Sequence, residues 1–262
     1  MTPGLRRVFE EHRDERAQEL YEIANILHEQ GLTPDAGPIR QAAYQCKSGL
    51  KNDGERDYWG FEIADLHIKL DEQRHGHPFS AVLDGCVGVL SVKIEEYVPT
   101  DEESVGHSFD LLRHAGVEFF FDTVHETEGD ILPLRAAWHL DTHDYTNEND
   151  RGIHPRFHFH LGGHGLKEID EHIRGVLIPD APRLPCAPLD GILAVDFVLS
   201  HYCGKRWNEF RDILPSYLRL RKGPIQRYWL PYFRTIADSI GTLDSVPGGG
   251  DGLLLLPNIC CG

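Results

Sequence analysis

Apolar residues recur at helical spacing in the first part of the chain. Val8, Leu20, Ile23, Ala24 and Leu27 stand among dense charges, and Gly31 followed by Pro34 ends the run. Residues 38–46 predict a short second helix, and residues 47–56 a polar turn. Residues 1–56 carry too little apolar surface to close a core of their own, so they read as a helical N-terminal extension.

From Tyr58 the period shortens. Phe61, Ile63, Leu66, Ile68 and Leu70 sit in short runs, and residues 80–97 hold Val87, Val89, Val92 and Ile94 among small residues. That second stretch predicts a strand, or a hairpin turning near residues 85–88. Val117-Glu118-Phe119-Phe120-Phe121 has high β propensity, residues 134–140 and 157–161 follow, and Val176-Leu177-Ile178 is stopped by Pro179. Short polar connections between successive strands predict an antiparallel meander.

After Pro188 the helical period returns. Leu189, Ile192, Val195, Val198 and Tyr202 share one face, with Asp190 at the start and Gly204 at the end. Residues 207–220 and 225–240 predict further helices, interrupted by Pro215 and Pro231. The expected architecture is one α+β domain over residues 57–242, an antiparallel meander flanked by helices, with a Gly-rich flexible tail at 243–262.

The polar positions inside these strands carry the candidate chemistry. His139-Leu140-Asp141-Thr142-His143 and His154-Pro155-Arg156-Phe157-His158-Phe159-His160 alternate polar and apolar residues. Alternate side chains of a strand share a face, so His139, Asp141 and His143 go together, as do Arg156, His158 and His160. If the two strands pair as a hairpin, both sets meet on one sheet face. Imidazoles and a carboxylate gathered in this way suit a divalent metal such as zinc. His158 and His160 are the leading ligand pair, with Asp141, His139 or His143 completing the set, and Arg156 is placed to bind an anionic group.

Composition narrows the partners. Acidic side chains outnumber basic ones 42 to 26, a formal net charge of −16, so broad electrostatic binding to nucleic acid or an anionic membrane is disfavoured. No stretch reaches the roughly 18 apolar residues of a membrane span. The 6 cysteines form no CxxC pair, and no apolar leader is seen, which points to a reducing cytoplasm.

A proline-rich segment from Pro179 to Pro188 predicts a stiff, extended lead into the helix at Leu189. Cys186 lies in it; a helix N-terminus just beyond would favour its thiolate, while the structural alternative is a cysteine buried by the neighbouring prolines. Asp196 stands alone in an apolar run and calls for a cationic partner, with Arg183 and Arg206 as candidates.

An N-terminal helix, a strand meander, the His154-Pro155-Arg156 element and a proline-led helix from Ala187-Pro188-Leu189 together resemble the ubiquitin-conjugating (UBC/RWD) fold, over about residues 80–207. That family has a His-Pro-Asn turn, and here Arg156 stands where the asparagine would be. The resemblance implies a divergent relative of the kind found in bacterial ubiquitin-like operons, binding a protein partner or transferring through Cys186. His154 would then serve in the catalytic turn, with Arg156 and Arg183 contacting the partner. Two further readings stand beside it: a metal-dependent hydrolase centred on Asp141 and the histidines, and a non-catalytic structural or interaction protein.

Overall fold

The computed structural model describes residues 1–71, 86–105, 108–126, 131–142, 157–162, 184–211 and 213–243. Helix α1 spans Pro3–Glu29, where Thr2 accepts the Leu5 N–H and Pro3 occupies the first turn. Gly31, at φ 64°, supplies the left-handed turn after it. Helix α2 covers Gly37–Cys46. Strands β1 (Lys51–Asn52), β2 (Asp57–Lys69) and β3 (Val87–Tyr97) follow, then the short α3 (Ser108–Leu111) and β4 (Leu112–Glu126). Strands β5 (Ile131–Thr142), β6 (Phe157–Leu161) and β7 (Leu184–Pro185) complete one sheet.

Its strands lie in chain order and every pair is antiparallel, so the fold is α+β with a meander, as the strand spacing predicts. The apolar parity of β2 changes midway. Trp59, Phe61 and Ile63 face the core, then Leu66 and Ile68 do, and the register against β3 shifts between Ile63 and Leu66. Asp65 takes a left-handed φ of 53° at this bulge, a conformation its short side chain tolerates. The spacing of apolar residues in the sequence therefore already contains the bulge.

Helix α4 (Gly191–Tyr202) packs on the apolar face of the sheet. Asp190 caps it, accepting the N–H groups of Ile192 and Leu193. Its close approach depends on Gly191, where an added Cβ would come within 3.1–3.3 Å of Phe61, Leu20 and Ile63 side chains. Aromatic contacts seat the rest of the helix. Tyr202 lies 4.8 Å from Phe119 and Phe197 5.1 Å from Trp138, whose Nε1 donates to the Tyr202 hydroxyl. Leu20, Ile23 and Leu27 of α1 and Ile39, Ala42 and Ala43 of α2 belong to the same buried cluster as these strand and helix residues.

Helices α5 (Gly204–Arg211) and α6 (Pro215–Pro224) lead into a π-helical turn, Ile225–Trp229, and α7 (Leu230–Leu243). Pro215 opens α6, in keeping with the expected break. Pro231 does not break the helix: the wider turn before it, closed by the Leu230 N–H on the Ile225 carbonyl, carries the chain through. Among the described residues, no helix is long and apolar enough to cross a membrane.

Buried charges tie the N-terminal helix to the rest. Arg16 pairs with Glu19 and faces Asp190 at 3.8 Å, and Arg227 of the π turn donates to Glu19 at 2.9 Å. The next residue, Tyr228, donates to Glu96, which His12 also approaches. Asp196 accepts from Tyr217 at 2.6 Å and Trp207 at 3.0 Å, with Arg221 at 3.0 Å. That replaces the expected Arg206, which pairs instead with Asp71, while Arg183 lies outside the described residues. The helical hairpin brings α6 back onto α4, a contact that sequence distance does not reveal.

Candidate metal centre on the polar sheet face

Strands β5 and β6 pair in the register that the alternating pattern anticipates. His139 lies opposite His160, and Asp141 opposite His158, while Leu140 and Phe159 form a pair on the core side. Four polar side chains thus occupy neighbouring positions on the face turned away from α4. His158 is only 4% exposed and His160 9%, so this is no solvated strand surface.

The geometry of three of them converges. Nε2 of His139 is 3.0 Å from Oδ2 of Asp141, and ligand atoms from His139, Asp141 and His158 all lie within 4.8 Å of one another. A tetrahedral ion with bonds of about 2.1 Å sets its donors about 3.4 Å apart, so small side-chain rotations bring the three onto one ion. Electrostatics follows the geometry. The hydrogen bond to Asp141 raises the His139 pKa against the opposing pull of burial. Burial works to raise Asp141, but the hydrogen bond from His139 and the fields of His139, His158 and His114 outweigh it and hold the carboxyl below its ordinary value.

Local structure explains why Asp141 is well placed. The backbone pairing of β4 with β5 ends at Val117 opposite Leu140. Beyond it, Thr142 Oγ1 accepts the Ala115 N–H at 2.7 Å and donates to the Ala115 carbonyl at 3.0 Å. A side chain therefore takes over from the ladder and fixes the end of β5. On the adjoining strand, Gly116 leaves a gap that His114 fills. A Cβ there would stand 2.8 Å from His114 Nε2, and Asp141 Oδ1 lies 3.8 Å from the same point. Burial, then Lys93, lowers the His114 pKa, with Glu95 and Asp141 acting the other way.

His114, Gly116 and Thr142 were not singled out by the alternation of the histidine-rich strands. Extending β4 back to Leu112 would have found His114, because it shares parity with Gly116 and Glu118, and Glu118 lies opposite His139. Of the other candidates, His143, His154, Arg156 and Arg183 lie outside the described residues. Cys186 donates its N–H to the Phe157 carbonyl at 3.1 Å and packs against the apolar core, on the other face from His158. The helix N-terminus that follows is capped by Asp190, not by this cysteine.

No family of known proteins, no curated protein and no solved structure matches the chain.

Proposed function

We propose that this protein is a metal-dependent hydrolase whose divalent ion is held by His139, Asp141 and His158. The observation that carries the reading is the convergence of two imidazoles and a carboxylate, within 4.8 Å, on a partly buried sheet face. Zinc accepts such a donor set, as do other first-row ions. Bound there, the ion would supply Lewis acidity toward a carbonyl or phosphoryl oxygen and acidify water at neutral pH. The chain's own part is to hold the donors. Thr142 anchors the end of β5, the sheet pairing sets Asp141 against His158, and the burial of His158 limits competition from bulk water on that side. Free thiols at the buried Cys46 and Cys203 support a reducing compartment.

Elemental analysis of protein purified without a histidine tag tests this directly. Stoichiometric metal that disappears in a folded His139→Ala/His158→Ala variant is the expected result. Absence of metal from the wild type, even after incubation with zinc, manganese or iron salts, would sink the hydrolase reading.

A second reading draws on the order of elements: helix, meander, a proline-led segment bonded along β6, then α4. That order supports a UBC/RWD-like protein acting on a protein partner. Under it Cys186→Ser abolishes transfer, whereas loss of His139 and His158 leaves it intact.

A further inference from the structure

His160 is the remaining corner of the polar array. It lies across the β5–β6 pair from His139, with ring centroids 4.8 Å apart and planes at 68°. It is 9% exposed, and among the described residues neither of its ring nitrogens has a hydrogen-bond partner. An imidazole taken out of water in this way loses the hydrogen bonds it would make to solvent. Folded proteins nearly always avoid that loss, and where it persists a bound ion, a bound water or a functional role is the reason. A hydrophobic residue at this position would avoid the loss altogether.

We propose that His160 is a fourth donor to the metal centre, making it a set of three imidazoles and one carboxylate. The inference rests on the metal reading given above. Side chains directly opposite in an antiparallel pair have Cβ atoms about 5 Å apart, and diagonal ones about 7–8 Å. An ion over the middle of the array is therefore about equally far from the Cβ atoms of His139, Asp141, His158 and His160, and His160 reaches it by rotating its ring toward the three donors that already converge. Of these, His139 and Asp141 are already hydrogen-bonded to each other. His160 can turn either nitrogen toward the ion without breaking a bond.

Four protein donors also select the ion. Tetrahedral zinc would be closed by them, as in structural zinc sites. A six-coordinate ion such as Mn(II), Fe(II) or Co(II) keeps two positions for water or substrate. The centre is thus matched to a six-coordinate first-row metal.

Cobalt is the probe. Metal-free full-length protein is titrated with Co(II) while affinity and the visible d–d spectrum are recorded, for wild type, His160→Gln and His158→Gln, with circular dichroism as the check on folding. The wild type should bind one equivalent and show the weak bands of five or six coordination. His160→Gln should bind at least about tenfold more weakly, with an altered spectrum. X-ray absorption on the wild-type Co(II) protein counts imidazoles without any variant, and three are expected. A His160→Gln variant that matches the wild type, or a count of two imidazoles, overturns the fourth ligand and leaves the three-ligand site standing. Failure of the wild type to bind Co(II) at all removes both.

Discussion

At the scale of single residues, the site depends on pairs that tune each other. His139 is raised by Asp141, and Asp141 is held down chiefly by His139 once burial is overcome. The raised histidine contributes stability at low pH and loses it as pH rises through its folded pKa. The lowered aspartate contributes above its unfolded pKa and loses it as pH falls through its folded value. In the metal-free protein the pair therefore stabilises most between about pH 4 and 6.5. Asp141→Asn should lower Tm inside that window and flatten its dependence on pH at both edges, below about pH 4 and above about pH 6.5, and NMR should show the His139 pKa falling toward its ordinary value. An unchanged His139 titration would contradict the pairing. Gly116 gives a second test. Gly116→Ala puts a methyl 2.8 Å from His114 Nε2, so the ring is displaced toward solvent and its pKa rises. The same NMR titration reads that shift.

Among elements, the junction of α1, α4 and the π turn is the most exacting. Asp190 caps α4 and faces Arg16, both buried, so one carboxylate serves a helix terminus and an ion pair. Asp190→Ala removes the cap and leaves the Arg16 guanidinium with Glu19 alone. The expected loss is about 3–5 kcal/mol, measured by urea unfolding, since breaking a buried pair from one side leaves charge uncompensated. A loss below about 1 kcal/mol would mean that water or neighbouring groups take over. The π turn has its place in the same junction, because the consecutive residues Arg227 and Tyr228 reach two carboxylates there, the half-buried Glu19 and the buried Glu96.

Over the whole molecule, one buried cluster joins the N-terminal helices to the sheet and to α4. Leu27→Ala, at a fully buried position of α1, should cost about 2–5 kcal/mol. Circular dichroism and tryptophan fluorescence should still report one coincident unfolding transition, because Trp59 lies in that cluster. Separate transitions would instead give residues 1–56 a stability of their own. Local periodicity in the sequence was enough to determine the antiparallel meander, the capped helix after Pro188, the parity shift in β2 and, within each strand, the shared face of His139 with Asp141 and of His158 with His160. Each of these follows from neighbours along the chain, where a period of two or 3.6 residues decides which side chains lie together. Only the tertiary structure decided that Asp196 meets Arg221 and Tyr217, that His114 crosses Gly116 toward Asp141, and that Cys186 turns to the core rather than to the histidines. It also decided that His158 and His160 are buried, which turns a row of polar residues into a candidate centre. Contacts between distant segments depend on how helices and strands stack and on register across strands, and one strand's alternation carries no record of what its neighbour presents.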